Sequence, residues 1–300
     1  MISENDQEFV QNMFMDVMKR GMPTDIEAYR TFLTAVLEDR KNSEPLPAVS
    51  AYHEGVQITP DFTADIATPQ GSGENKPVVL LCHGNGGCAG SAQSYRRFTR
   101  DFANSGYVTV TPDYRLAPEH RYPAGSNDLY ETALWIKDNA ATYGGDGNKL
   151  VIVGDSLAAS FAISTMFRLL DNEDAPQIAA VVGMEGFYDL HEERSFIIDA
   201  FLPEGITDEE RKNRLISPIY GLRSGMELPP ILLMAGSDDF ATPHTLAFAT
   251  RLSQNQIPYE MHVIPGMPHD FMKFPALDGR KAGHAFMFDF LARHVRPCRP

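Results

Sequence analysis

The chain has 300 residues, of which 43% are hydrophobic and 22% are charged, a composition typical of globular proteins and unlike that of disordered chains. It contains 26 lysines and arginines against 40 aspartates and glutamates, which gives a formal net charge of −14. Because so acidic a surface repels phosphate backbones and anionic lipids, we expect neither nucleic-acid binding nor electrostatic attachment to a membrane.

The sequence also predicts the compartment. No apolar run approaches the roughly 20 residues of a membrane-spanning helix, and the acidic residues 1–6 do not resemble a signal peptide. The three cysteines, Cys82, Cys88 and Cys298, are odd in number and lack a Cys-x-x-Cys spacing, so we expect neither a disulfide framework nor a zinc knuckle. We therefore predict a cytoplasmic protein.

In chain order, the predicted strands begin with a pair at 55–59 and 62–68, which we place at an antiparallel edge of a sheet. Six short, uninterrupted apolar runs follow, at 78–82, 108–111, 150–153, 180–184, 231–235 and 261–264. Such runs are typical of strands buried on both faces of a parallel sheet. Segments with helical periodicity separate most of them, at 95–104, 129–143, 158–170 and 245–254. This alternation predicts crossover units and a doubly wound α/β fold.

Two regions interrupt the alternation. Residues 1 to about 45 have a helical pattern, and residues 188–227 contain charge-rich helical pieces between two predicted strands. We predict an N-terminal helical arm at 1–50, an α/β core formed by 51–187 and 228–300, and an insertion at 188–227. The arm and the insertion together would form a lid over one end of the sheet.

The sharpest local motif runs from Gly154 to Ala158, where a buried strand passes through Gly-x-Ser-x-Ala directly into a helix. This context is typical of a nucleophile elbow, in which a serine sits on a strained turn with its hydroxyl above the sheet edge. The N-terminus of the helix adds free N–H groups and the positive end of a dipole. We predict that Ser156 is a nucleophile, and the alternative is a serine that only caps the helix.

A glycine-rich segment at 82–87, Cys-His-Gly-Asn-Gly-Gly, follows the strand at 78–82. Backbone N–H groups of such a loop can point toward an oxyanion that forms beside Ser156. The alternative is a phosphate-binding loop, but the segment matches neither of the common nucleotide-binding glycine motifs. We expect His83 to brace the loop rather than to act as a base.

A serine nucleophile in this architecture needs an acid and then a histidine later in the chain. Asp238 and Asp239 follow the strand at 231–235, and His269 follows the strand at 261–264. Both loops come after the carboxyl ends of strands, where open α/β sheets bind their ligands. We predict Asp239 as the acid and His269 as the base, with Asp238 as a turn former or helix cap.

With these motifs identified, the chain resembles the hormone-sensitive-lipase family of α/β-hydrolases over about residues 75–295. The motifs are His-Gly-Asn-Gly at 83–86 for the family's HGGG, Asp-Tyr-Arg-Leu-Ala-Pro-Glu at 113–119 with Tyr-Pro-Ala at 122–124, Gly-Asp-Ser-Leu-Ala at 154–158 for GDSAG, the acid loop at 236–239 and Pro-Gly-Met-Pro-His at 265–269. The resemblance implies an α/β-hydrolase fold, with an eight-stranded, mostly parallel sheet flanked by helices and a helical cap.

The resemblance also implies the site and the assembly. Ser156, Asp239 and His269 would form a catalytic triad. The oxyanion hole would be formed by three backbone N–H groups, those of Asn85, Gly86 and Leu157. The family often pairs through its last strand and helix, here about residues 260–294, so a homodimer is a further expectation.

Five positions depart from the family pattern, and two of them are Ala158 and Ala159, which replace a pair of glycines. Asn85 and Asp270 stand where the family has glycine, and Leu157 replaces a small residue beside the nucleophile. Asparagine tolerates positive φ better than most side chains, so the loop can keep its shape. Asp270 would raise the pKa of His269, bind a polar part of the substrate or point to solvent. These departures are compatible with a specialised substrate.

The sequence therefore predicts a serine hydrolase that cleaves a small-molecule carboxylic ester through an acyl-enzyme, a mechanism that needs no metal and no organic cofactor. It has no HExxH motif and no cluster of histidines and carboxylates at metal-ligand spacing, so we do not expect a metallohydrolase. Two alternatives stay open: a biosynthetic cyclase, lyase or acyltransferase that uses the same groups while excluding water, and a non-catalytic ligand receptor. Six apolar side chains are candidates for the substrate pocket: Phe9, Met13, Phe14, Met18, Phe187 and Phe201.

Overall fold

The computed structural model describes residues 2–41, 43–71 and 73–295, so Cys298 lies outside the described residues. Within these ranges the strands are β1 (Ala51–Thr59), β2 (Phe62–Thr68), β3 (Lys76–Cys82), β4 (Val108–Pro112), β5 (Gly145–Asp155), β6 (Ile178–Met184), β7 (Ile231–Gly236) and β8 (Glu260–Ile264). They form one sheet in the order β1-β2-β4-β3-β5-β6-β7-β8.

The strand directions divide the sheet into an edge and a centre. β1 pairs with β2, and β2 pairs with β4, in antiparallel fashion. Every pairing from β4 through β3, β5, β6 and β7 to β8 is parallel. The prediction of an eight-stranded, mostly parallel sheet with an antiparallel edge at 55–68 is confirmed, and each predicted apolar run falls within a strand.

Helices cover both faces of this sheet. They are α1 (Glu4–Arg20), α2 (Ile26–Lys41), α3 (Arg96–Asn104), α4 (Ala124–Asn139), α5 (Ala158–Leu170), α6 (Phe196–Phe201), α7 (Asp208–Arg211), α8 (Thr242–Gln254) and α9 (Asp278–His294). Short 3₁₀ turns lie at Gln93–Tyr95, Ala140–Tyr143, Pro218–Gly221 and Phe271–Lys273.

The core consists of two apolar layers separated by the sheet. Successive side chains of a strand point to opposite faces, and in β3 Val78 and Leu80 belong to the layer shared with α4, α5 and α8. Val79 and Leu81 belong to the opposite layer, shared with α3 and α9. Because both faces are covered, the central strands read as continuous apolar runs instead of alternating ones.

Polar contacts fix the N-terminal helices on this core. Asp6 of α1 is buried, and its carboxylate accepts hydrogen bonds from the N–H groups of Asp278 (2.7 Å) and Gly279 (3.1 Å), the first two residues of α9. A carboxylate at a helix N-terminus accepts hydrogen bonds from free N–H groups and interacts favourably with the positive end of the helix dipole. Arg30 of α2 forms a two-pronged ion pair with Glu119, both bonds being 2.8 Å long. Both helices are therefore held to the sheet layer by charge as well as by packing.

None of the helices in the described part of the chain combines the length and the apolarity needed to cross a lipid bilayer.

Candidate active site

Ser156 stands at the sharp turn between β5 and α5. Its φ is +56°, a left-handed value that is costly for a residue with a side chain and that marks strained turns at functional sites. The turn is held because the N–H of Ser156 donates to the carbonyl of Met184 at 2.8 Å. Gly154 leaves room for it, since a Cβ there would lie 2.2 Å from the carbonyl oxygen of Ala158. This is the local geometry of a nucleophile elbow.

Two further loops bring an imidazole and a carboxylate to this serine. Ser156 Oγ lies 2.9 Å from Nε2 of His269, in the loop after β8. Nδ1 of the same ring lies 2.8 Å from Oδ1 of Asp239, in the loop after β7. The Asp239 carboxylate is buried and also accepts the N–H of Ala241 at 2.8 Å, which fixes its orientation. The structure thus brings together the three residues that the sequence singled out.

Asp238, the neighbouring acid, has a different environment. Its side chain is exposed, and its carboxylate accepts the hydroxyl of Ser237 at 2.7 Å. Its N–H donates to the carbonyl of Met267 at 3.1 Å, which ties the loop after β7 to the loop after β8. Asp238 therefore shapes the turn, while Asp239 faces the imidazole.

The imidazole of His269 lies in a strongly negative environment. Burial by itself lowers the pKa of this ring, but the hydrogen bond to Asp239 and the charges of Asp270, Asp239 and Glu185 outweigh it and raise the pKa to about 9. These carboxylates favour the protonated ring. A proton on this ring is therefore strongly held.

The glycine-rich loop after β3 lies beside the serine. Three consecutive residues, Asn85, Gly86 and Gly87, have left-handed φ values of +71°, +69° and +65°, which glycine adopts at least cost. A Cβ on Gly86 would lie 2.4 Å from Cγ2 of Ile197. The residue at this position must therefore be small as well as left-handed.

The motif at 113–119 supports this loop from behind. The hydroxyl of Tyr114 donates to the carbonyl of His83 at 2.6 Å, and its ring stacks on the His83 imidazole at 4.1 Å. The N–H of Ala117 donates to the carbonyl of Gly87 at 2.9 Å. Arg115 anchors the segment through an ion pair with the buried carboxylate of Asp128 at 2.7 Å. His83 braces the loop, as we expected, and does not line the cavity in front of it.

A mostly apolar cavity of about 490 Å³ opens in front of the serine. Its floor includes Asn85, Gly86, Ser156, Leu157 and His269. Its apolar walls come from α1 and α2, from the segment around α6 and from the loops after β6 and β7; they include Met13, Val17, Tyr29, Phe32, Leu33, Phe187, Phe196, Ile197, Ile198 and Phe240. The three residues predicted for the oxyanion hole therefore share one cavity with Ser156 and His269.

The predicted pocket residues divide into those that reach the cavity and those that do not. Phe187 and Met13 line it. Phe14 and Met18 differ from the prediction: they are 59% and 63% exposed and lie on the solvent side of α1. Phe201 also differs, since it is buried beneath the loop, where a Cβ on Gly87 would lie 2.9 Å from its ring. Phe9 packs against Phe274, with ring centroids 5.3 Å apart.

Sequence reasoning missed Glu185, which follows β6. This glutamate is fully buried, and its carboxylate accepts the N–H groups of Asp270 and of Met272 (3.3 Å). Its Oε2 lies 3.9 Å from Nδ1 of His269. Burial, reinforced by the negative charge of Asp155, raises the pKa of Glu185 well above its usual range. A charged residue directly after a buried strand, in Met-Glu-Gly at 184–186, was the available signal.

A second missed residue is Lys273, which is 3% exposed. Its ammonium contacts the carboxylates of Asp155, at 3.1 Å, and of Asp270, and the side-chain oxygen of Asn85, at 3.2 Å. Asp155, Glu185 and Asp270 lie close enough together to hold a cation, and this ammonium provides the positive charge between two of them. No pattern in the sequence around 273 indicates this role.

Comparison with known proteins identifies the fold family. A family model described as an alpha/beta hydrolase fold matches residues 79–273. The chain belongs to the α/β-hydrolase family. This agrees with the resemblance found in the sequence motifs.

Named relatives of this α/β-hydrolase include esterases. Ethyl acetate hydrolase of Pseudomonas putida is 24% identical over 278 residues, which cover 82% of this chain and 87% of that protein. Carboxylesterase NlhH of Mycobacterium tuberculosis is 27% identical over 220 residues, which cover 67% and 68% of the two chains. The solved structure of a thermostable esterase from Pseudomonas putida ECU1011 matches 98% of both chains with a TM-score of 0.81 at 20% identity, which shows a shared fold.

Proposed function

We propose that the protein hydrolyses a small carboxylic ester through a covalent acyl-enzyme, with Ser156, His269 and Asp239 as its catalytic triad. The observation that carries this proposal is the chain of contacts from Ser156 Oγ to His269 Nε2 (2.9 Å) and from His269 Nδ1 to Asp239 (2.8 Å), with Ser156 and His269 at the floor of one cavity. Each loop that carries one of these groups follows the carboxyl end of a parallel strand, which is where this architecture binds ligands.

In the first half-reaction, Ser156 Oγ attacks the ester carbonyl while His269 Nε2 takes the hydroxyl proton. The bond from carbonyl carbon to Oγ forms, and the π electrons of the carbonyl move to its oxygen. Collapse of this tetrahedral intermediate breaks the bond to the alcohol, which leaves with the proton from His269. Asp239 holds the ring so that Nε2 faces the serine, and its charge stabilises the imidazolium.

In the second half-reaction, a water molecule takes the place of the alcohol. His269 removes a proton from the water, the new bond forms between the water oxygen and the acyl carbon, and the bond to Oγ breaks. The proton returns to Ser156, and the carboxylic acid leaves. The environment that raises the pKa of His269 to about 9 stabilises the imidazolium present in both tetrahedral intermediates.

Backbone N–H groups of Asn85, Gly86 and Leu157 would stabilise the oxyanion. The first N–H groups of α5, directly after Ser156, have no partner within the helix, and the left-handed run that begins at Asn85 lies at the same cavity floor. Donors fixed in place before the reaction stabilise developing charge without reorganisation, and each is worth on the order of 10²–10³ in rate.

The arm and the insertion would act as the cap of this site. Cavity walls come from α1, α2 and α6, which belong to the predicted arm at 1–50 and the insertion at 188–227. Tyr29 of α2 meets Phe196 of α6 edge-on, with ring centroids 6.1 Å apart. Such a cap would bind an apolar acyl or alcohol group and limit access of water. The expected homodimer through 260–294 stays a prediction.

The names of the relatives support the reaction class: ethyl acetate hydrolase and carboxylesterase both denote hydrolases of carboxylic esters. Together with membership of the α/β-hydrolase family, they favour a carboxylesterase-like hydrolase. The apolar walls and limited volume of the cavity favour esters with a short or medium apolar group.

The test is hydrolysis of p-nitrophenyl esters from acetate to decanoate by the wild type and by Ser156→Ala. We expect release of p-nitrophenolate by the wild type and a loss of at least about 10⁴-fold in the variant. A fluorophosphonate probe should label the wild type at Ser156. Labelling without ester cleavage would favour a cyclase, lyase or acyltransferase, and the absence of both would favour a receptor.

A further inference from the structure

Two departures from the family pattern meet at one buried lysine. Asn85 and Asp270, which the sequence analysis singled out as departures from the resembled motifs, are 185 residues apart in the chain. In the structure both contact the ammonium of Lys273, which also lies 3.1 Å from the carboxylate of Asp155, the residue before the nucleophile. Lys273 thus joins the loop after β3, the elbow at Ser156 and the loop that carries His269.

Of the contacts that the Lys273 ammonium makes, the one with Asn85 is not needed to balance its charge. Asp155 and Asp270 supply carboxylates for a buried ammonium, and the Tyr95 ring lies 5.1 Å from it. These carboxylates outweigh the effect of burial and hold the pKa of Lys273 well above its usual range, so the lysine stays charged. A third polar partner, the side-chain oxygen of Asn85 at 3.2 Å, connects this charge to the proposed oxyanion loop.

Asn85 needs such an anchor because of its backbone. Its φ of +71° is a region that glycine enters freely and that other residues enter at a cost. The amide is held at its oxygen, which accepts from Lys273, and its nitrogen lies so close to Gly90 that a Cβ there would be only 2.8 Å away. A side chain held in this way limits the backbone to one conformation, which a glycine at 85 would not do.

We propose that Lys273 is a positioning residue, which holds the Asn85 side chain and thereby sets the backbone donors at Asn85 and Gly86 for the oxyanion. The inference rests on the proposed function, since it concerns the donors of that reaction. It assigns one role to both departures: Asn85 receives the hydrogen bond, and Asp270 keeps the ammonium in place beside the loop.

The decisive experiment is a double-mutant cycle between Lys273→Met and Asn85→Gly. In the wild-type background, Lys273→Met should lower kcat for a p-nitrophenyl ester by about 10- to 100-fold, with KM changed by less than about threefold, because donors that act on the transition state are misplaced. In the Asn85→Gly background, the same change should cost less than about threefold, since the anchored side chain is already absent.

A transition-state mimic separates positioning from general destabilisation. The inhibition constant of an aryl trifluoromethyl ketone, whose adduct with Ser156 carries an oxyanion, should rise by the same factor as kcat/KM falls. An equal cost of Lys273→Met in both backgrounds, or an effect on KM alone, would overturn the proposal and leave Lys273 a structural counter-ion.

Two measures keep the test decisive. If Lys273→Met does not fold, the pair Asp270→Gly/Lys273→Met removes one charge of each sign, and the cycle with Asn85→Gly is repeated on it. If the wild type cleaves no ester, the rate of labelling of Ser156 by a fluorophosphonate replaces kcat, because negative charge develops on the phosphoryl oxygen beside the loop while Ser156 attacks phosphorus and fluoride leaves. A wild type that is neither hydrolytic nor labelled overturns the proposed function and this inference together, whereas a hydrolytic wild type with an additive cycle overturns this inference alone.

Discussion

The floor of the cavity and its roof, which is the set of helix side chains above the floor, were predicted from the sequence with unequal accuracy. The floor and the acid behind it are placed at strand ends: Ser156 follows β5 and His269 follows β8 at the floor, and Asp239 follows β7 behind the imidazole. The roof consists of side chains on α1, α2 and α6, whose directions depend on how each helix packs. Short apolar runs fix where strands end, but an amphipathic helix presents a broad face, and the sequence does not say which edge of that face meets the site.

The largest expected effect tests the floor. Asp239→Asn should lower kcat by about 10³–10⁴-fold, because an amide in place of the carboxylate favours the wrong tautomer of His269 and no longer stabilises the imidazolium. Asp238→Asn is the matched control: this side chain also lines the cavity, but it is exposed and bonds to Ser237 instead of His269, so kcat should change by less than about threefold. Steady-state kinetics with one p-nitrophenyl ester measures both. A large loss in Asp238→Asn and a small one in Asp239→Asn would show that Asp238, and not Asp239, acts as the acid.

The limits of the sequence follow from the same distinction. The floor residues could be predicted because each is tied to a strand end, and Glu185, which was missed, has the same location after β6. Lys273 could not be predicted, since its bond to Asn85 joins residues 188 positions apart through side chains that approach from two different loops. Local patterns carry no information about such a contact. The predicted face of α1 differs from the structure by about one residue: Met13 and Val17 line the cavity, whereas Phe14 and Met18 point to solvent.

A smaller effect is expected for Asp270, the carboxylate beside His269, which influences the pKa of that ring. Asp270→Asn removes a negative charge that favours protonated His269, so the pKa of His269 should fall below its value of about 9. The loss also leaves the charge of Lys273 less compensated, which acts in the same direction. Because the proposed base is the neutral ring, the acidic limb of the pH profile of kcat/KM should move toward lower pH.

The titration can be observed without turnover. In Ser156→Ala protein, nuclear magnetic resonance of the His269 ring reports its protonation directly, with and without Asp270→Asn. Asp289→Asn is the control, because it changes net charge equally at an exposed site on α9, where Asp289 pairs with Arg293 at 3.1 Å. A shift of equal size in both variants would mean that the field of the whole protein, and not the adjacent carboxylate, sets the pKa of His269.

The smallest expected effect tests the roof and uses two neighbours on one helix. Met13 lines the cavity, whereas Phe14 is 59% exposed. Met13→Ser should lower kcat/KM for p-nitrophenyl decanoate by about tenfold, since contacts worth roughly two methylene groups, at about 0.8 kcal/mol each, are lost. The acetate ester, which is too short to reach α1, should change by less than about twofold. Phe14→Ser should leave both esters within about twofold, although Phe14 is the larger and more apolar side chain. If Phe14→Ser had the stronger effect on decanoate, Phe14 and not Met13 would contact the bound chain. The side of α1 that carries Phe14 would then face the cavity.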